Sequence, residues 1–209
     1  MNLTRNELKK LMYDYNRKAN RVMQADFTEY SDVLKKFISF IDSEPVINDY
    51  INSCGKCQQN LRDEFKEIQA SYGQAIFSIG DTDEEEIANI YAILHYIADN
   101  DVSVRSGFAM GYAHDSNKYQ DMVSGFNNRV FLVFVNHIES YLTKIGIDIG
   151  LDEKIEMNIS QMNVANNGSY ISATNNYINI EHVEELVANI EKEVNSLDSE
   201  DDIKLVQNQ

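Results

Sequence analysis

Residues 116–145 carry Met122, Phe126, Val130, Val133, Phe134, His137, Ile138, Tyr141, Leu142 and Ile145 at helical spacing, and the middle of the stretch, VFLVFV, is apolar on every side. A helix without a polar face has to be enclosed by other elements. Thirty residues at a rise of about 1.5 Å each would reach roughly 45 Å. The rest of the chain is therefore expected to wrap around this helix as a bundle, with Val133 and Phe134 at its centre. Gly125, near its start, allows a bend or a close helix crossing.

The remaining segments supply the wrapping helices. Thr4 followed by Glu7 is a capping box, after which Leu8, Leu11, Met12, Tyr15, Ala19, Val22 and Met23 recur with helical period. A second helix is expected over 27–42, with Phe27, Tyr30, Leu34, Phe37, Ile38 and Ile41 on one face. Ser43 is read as the cap of a short helix near 44–53 with Pro45 in its first turn. Leu61, Phe65, Ile68 and Tyr72 mark another. Thr82 and Glu85 repeat the capping-box pattern and open a helix running to about residue 100. A final amphipathic helix over 181–197 uses Val183, Leu186, Val187, Ile190, Val194 and Leu197, and 198–209 reads as an acidic tail.

Composition narrows the setting. A hydrophobic content of 43% supports a packed core. No uninterrupted apolar run approaches the length of a membrane span, and the first residues lack the apolar stretch of a signal peptide, so a cytoplasmic chain is expected. The net charge of −16 opposes direct binding to nucleic acid or to an anionic membrane. That charge is uneven: residues 1–23 hold six basic side chains against two acidic ones, while 81–101 hold seven acids and no Lys or Arg. The basic first helix is either a solvated face or a docking surface for something acidic.

Near the end, MNISQMNVANNGSYISATNNYINI (157–180) is uncharged, rich in Asn and alternates polar with apolar residues. Asn167-Gly168 is a strong signal for a two-residue hairpin turn, because both central positions need positive φ. That turn would pair Asn166 with Ser169, Val164 with Ile171 and Met162 with Ala173. Met162, Val164, Ile171 and Ala173 then share one face, whereas Ile155, Met157, Ile178 and Ile180 share the other. An isolated two-stranded ribbon is marginal in water, so the tip face is expected to link subunits. The alternative is a twisted ribbon lying over its own bundle.

Two stretches, FNNRVFLVFVNHIESYLTKIGIDIGLDEK and QMNVANNGSYISATNN, resemble a group of uncharacterised proteins from Gram-positive bacteria and their prophages. The matching residues are Ile145–Lys154 and Gln161–Asn176, and FISFIDSEPVINDYI at 37–51 has the same character. The resemblance implies a helical N-terminal region followed by a short Asn-rich hairpin, and an association with phage biology. It brings no catalytic residues with it.

Residues that could carry chemistry are few. Cys54 and Cys57 form a C-x-x-C between two helical segments, not after a strand, and are read mainly as reduced structural cysteines; a metal site completed by a His, or redox work, are the alternatives. His137 sits at a core spacing and is read as a satisfied core histidine. Arg129 and His137 have seven residues between them, and Arg105 and His114 have eight, more than the Arg–His motif of HEPN-type ribonucleases allows. The loop 111–121 gathers His114, Asp115, Asn117 and Lys118, and is the place to look for a small-molecule pocket. Asp148, Asp152 and Glu153 lack calcium-loop spacing, and no Gly-rich phosphate loop or nucleophile elbow is present in the sequence.

The chain is thus expected to be mainly α, a helical bundle over 1–150 around a long central helix, with a β-hairpin at 151–180, an amphipathic helix and a tail. No catalytic residue, cofactor or metal ligand is assigned. The expected function is a non-enzymatic, oligomerising interaction protein of bacterial or phage origin, whose partners are itself and an unknown protein. The rivals are an acidic decoy that occupies the basic groove of a nucleic-acid enzyme, using 81–101, and a ligand-binding or catalytic phage-defence effector using 111–121.

Overall fold

Thr4 begins the fold as its capping box requires. Its hydroxyl accepts the Glu7 amide at 3.3 Å while the Glu7 carboxylate accepts the Thr4 amide at 2.9 Å, satisfying two orphan donors at the start of α1, Arg5–Met23. The structure is a computed structural model. It describes residues 3–113 and 116–151 and the backbone of 161–165 and 169–173. The expected amphipathic helix and tail at 181–209 lie outside the described residues, as do His114 and Asp115.

The fold is mainly helical. After α1 come α2, Tyr30–Ser43; α3, Pro45–Ser53; α4, Leu61–Ala70; α5, Asp83–Asp99; α6, Tyr119–Phe126; and α7, Leu132–Asp148. Every apolar residue assigned to the α1 stripe is buried. Three expectations at helix ends are corrected. Helix α2 starts at Tyr30, not 27, because the Asp26 carboxylate accepts both the amide and the hydroxyl of Thr28 and holds a turn there. Ser43 ends α2 with its hydroxyl donated to the Phe40 carbonyl, and Glu44 takes the cap position before Pro45. Tyr72 lies beyond α4, exposed and at φ 52°.

Helices α6 and α7 are one continuous rod, Tyr119–Asp148, joined through a π-helical turn at Asn127–Phe131. The buried positions Met122, Phe126, Val130, Phe134, Ile138 and Leu142 recur every four residues. An α-helix turns about 100° per residue, so each step of four overshoots by about 40° and the stripe would drift roughly 200° over its length. The π turn takes in one additional residue and removes about half of that drift. Phe134 is fully buried, edge-on to Phe37 at 6.5 Å, and Phe37 also meets Phe131 at 5.0 Å and Tyr15 at 5.9 Å. Val133, expected at the centre, is only partly buried against the core. By length and composition the rod is the one helix among the described residues that could cross a membrane; its apolar stripe is packed inside the bundle.

Gly125 makes the expected close crossing. A Cβ there would fall 2.0 Å from the Tyr112 carbonyl oxygen, so the loop before α6 lies directly on the rod. The rod ends in a Schellman motif: the Leu151 amide bonds the Gly146 carbonyl at 2.9 Å and the Gly150 amide the Ile147 carbonyl at 3.0 Å, with Gly150 at φ 67°. The Arg5 guanidinium adds a bond to the Ile149 carbonyl at 3.0 Å. The glycines of IGIDIGLDEK thus form a helix stop.

The backbone of Gln161–Ala165 pairs antiparallel with Ser169–Ala173, but one residue out of the expected register. Val164 is opposite Tyr170, not Ile171, and Met162 is opposite Ser172, not Ala173, leaving three residues between the strands where the Asn-Gly turn requires two.

Candidate functional site

Helices α1 and α2 gather basic residues because α1 carries its cations on the flanks of its apolar stripe and α2 adds Lys35 and Lys36. A groove of about 500 Å³ between them is lined by Arg17, Lys18, Asn20, Arg21, Gln24, Glu29, Val33, Lys36 and Phe37. A second, adjacent one of about 600 Å³ shares Lys18 and Lys36 and adds Lys35, Asp32 and Ser39. Some of these cations are engaged: Arg17 pairs with Asp14 at 3.1 Å, Lys35 with Asp101 at 3.2 Å, and the Lys18 ammonium lies 5.0 Å from the Phe40 ring centroid. Arg21 and Lys36 make no hydrogen bond or ion pair among the described residues. Both grooves open to solvent and present basic side chains on a chain that carries a net −16.

The opposite charge collects at the first turn of α5. Thr82 caps it by accepting the Glu85 amide at 3.2 Å, while Glu85 reaches the Asp81 amide at 2.9 Å and not its own cap residue. Asp81, Asp83, Glu84 and Glu85 are all exposed. Glu86 turns inward to His137, with Oε2 2.7 Å from Nε2. His137 is therefore the satisfied histidine expected of it, at the edge of the core. The ligand atoms of Asp83, Glu86 and His137 lie within 4.8 Å of one another, so these three residues could hold a cation.

His95 is the centre of a polar cluster that the sequence reading missed. Its Nδ1 lies 2.8 Å from Asp99 and its Nε2 3.3 Å from Asp42, and the Tyr91 hydroxyl donates to Asp42 at 2.5 Å. Burial, then the Asp42 carboxylate, push the Tyr91 phenol well above its ordinary range. The i, i+4 spacing of Tyr91, His95 and Asp99 on α5 was the available signal; Asp42 comes from α2 and could not be read from spacing. This cluster borders an open cavity of about 420 Å³ that Cys57 also lines. Cys54 and Cys57 are free thiols. The Cys54 Sγ donates to the Tyr50 carbonyl at 3.3 Å, and burial raises its pKa, the reverse of what thiolate chemistry needs.

In the 111–121 loop, Tyr112 is buried and its hydroxyl accepts the Phe77 amide at 3.1 Å. Ser116 donates to Asp121 at 2.5 Å and accepts the Lys118 amide at 3.2 Å, a turn that starts α6. Asn117 and Lys118 are exposed beside it, and the grooves described above are lined by other residues. Arg129 lies over the Tyr112 ring and Arg105 over that of Phe27, each at 5.6 Å, so both arginines are packed on aromatic rings. Glu139, on the inner side of α7, has one carboxyl oxygen buried without a hydrogen-bond partner among the described residues, and burial raises its pKa to about 7. No protein-family model, curated protein or solved structure matches the chain.

Proposed function

We propose that this chain is a non-enzymatic interaction protein of bacterial or phage origin, acting in the cytoplasm, that self-associates and binds another protein through its helical body. The observation that carries the reading is the segregation of charge: open basic grooves on α1 and α2, and an exposed acidic turn at the start of α5. Shallow, solvated, oppositely charged surfaces suit recognition of charged protein partners. The paired strands Gln161–Ala165 and Ser169–Ala173 are the proposed link between subunits, with Met162 and Val164 at register positions of one face and Ile171 and Ala173 at those of the other, since a ribbon of two strands needs a further surface to be stable. Light scattering tests this. Replacing Val164 and Ile171 by Asn should lower the native mass and leave the helical circular dichroism unchanged. A wild-type chain that is monomeric at high micromolar concentration refutes the self-association.

The exposed acids Asp81, Asp83, Glu84 and Glu85 favour a second reading, an acidic decoy for the basic groove of a nucleic-acid enzyme. It predicts capture of purified basic nucleases by the wild type, and none by a chain with Asp83 and Glu84 replaced by Lys.

A further inference from the structure

We propose that the basic groove of α1 and α2 receives the acidic first turn of α5 from a second copy of this chain, so that protomers join head to tail. The inference rests on the interaction reading above and names one contact within it. The groove offers Arg21 and Lys36, which have no ion pair or hydrogen bond among the described residues, beside Arg17 and Lys18. The α5 turn offers Asp83 and Glu84, which likewise make no hydrogen bond or ion pair there, beside Asp81 and Glu85. Acids in a first turn stabilise the helix N-terminus. That role accounts for one or two of them better than for an exposed group of four.

The two surfaces cannot meet within one chain. Helices α2 and α5 run antiparallel: Asp42 near the end of α2 meets Tyr91 and His95, while Lys35 meets Asp101 just past the end of α5. The acidic turn is at the other end of α5, whose 17 residues span about 25 Å at 1.5 Å each. A contact between them is therefore made in trans. It joins two different surfaces, so it closes into a ring or extends as a chain of subunits. A nucleic-acid strand is the weaker occupant, because a continuous polyanion meets the −16 field along its whole length, whereas a second copy presents one compact acidic turn.

Charge also sets the salt dependence. Two copies each at −16 repel at long range, and this repulsion reaches furthest at about 10 mM salt, where the Debye length is about 30 Å. Near 0.15 M that length is about 8 Å, and the short-range contact decides. Near 1 M it is about 3 Å, and the contact itself is screened. Association should pass through a maximum near physiological salt. Assembly through apolar hairpins would only strengthen as salt rises.

The test is sedimentation velocity of the full chain at these three salt concentrations. The wild type should be largest at the middle one. Arg17→Glu with Arg21→Glu and Lys36→Glu, and separately Asp83→Lys with Glu84→Lys, should each weaken self-association at least about tenfold at that salt. An equimolar mixture of the two variants should restore it, since each then offers the surface the other needs. Circular dichroism confirms that each variant is folded, and the neutral set Arg17→Gln, Arg21→Gln and Lys36→Gln gives an intermediate loss. A monomeric wild type, mass indifferent to both reversals, a mixture that does not reassociate, or mass rising steadily with salt overturns the inference. If mass falls only on replacing Val164 and Ile171, the hairpin reading stands and this contact does not. If it falls only with the charge reversals, the opposite holds.

Discussion

The Tyr30 hydroxyl donates to Asn127 Oδ1 at 2.7 Å, and Asn127 Nδ2 donates to the Val22 carbonyl at 3.1 Å. Both side chains are buried, so one amide on the π turn ties the end of α1 and the start of α2 to the rod. Burial holds the Tyr30 phenol far above its ordinary range and keeps it a donor. Tyr30→Phe leaves a buried acceptor unsatisfied and should cost about 1–3 kcal/mol. Asn127→Ala should cost more, and the double variant less than the two together. Urea unfolding checks this through the midpoint at constant slope; strictly additive costs would show that the two residues do not act together.

Gly125→Ala should be severe for so small a change. The added methyl meets the Tyr112 carbonyl, a backbone atom, so either the rod or the loop must move. Loss of about 2 kcal/mol or more is expected, comparable to overpacking a rigid core. Ala at Gly55, where a Cβ would meet open space but φ is 100°, should act through backbone strain alone. Thermal unfolding of the pair separates the two causes.

Phe134→Ala removes a fully buried ring between α2 and α5, where it faces Phe37 and stacks on Tyr91 at 6.2 Å. A cost of about 3–5 kcal/mol is expected. Val133→Ala, at a half-buried position, should cost much less. Equal costs would contradict the placement of the rod.

Glu139 predicts a pH dependence with a defined sign. Its folded-state pKa is raised from 4.5 to about 7, so the folded chain holds the proton more tightly than the unfolded one. That contribution is fully present below pH 4.5 and is lost as pH rises through about 7. Because the group is partly open to solvent, the loss is about 1–2 kcal/mol. Glu139→Gln should match the wild type near pH 5 and exceed it by that amount near pH 8 in urea unfolding. Parallel stability curves would show that the carboxyl is better solvated than its geometry implies.

Helix order and core were legible because they rest on period and capping. Thr4, Glu7 and Thr82 act as their spacing indicated, and Phe134 is buried. Helix ends were less so, since Asp26 and Ser43 choose partners that only the folded backbone supplies. The π turn had a signal, the recurrence of apolar residues every four positions from Met122 to Leu142, which departs from the α-helical period of about 3.6 residues. The basic face of α1 was legible as charge. Its conversion into a groove was not, because Lys35 and Lys36 come from another helix. The Asn-Gly pair favoured a register one residue away from the backbone pairing of 161–165 with 169–173.

The π turn also governs which length changes the rod can tolerate. Removing one residue between Leu132 and Leu142 would rotate everything beyond it by about 100° and take Leu142, and with an earlier deletion Ile138 or Phe134, off the core. Removing one from 127–131, with Asn127 kept, would return the turn to an ordinary α-helix and leave both halves facing as they do now. The rod therefore has one place where its length can vary between lineages without loss of its faces, and that place is next to the amide that joins three helices.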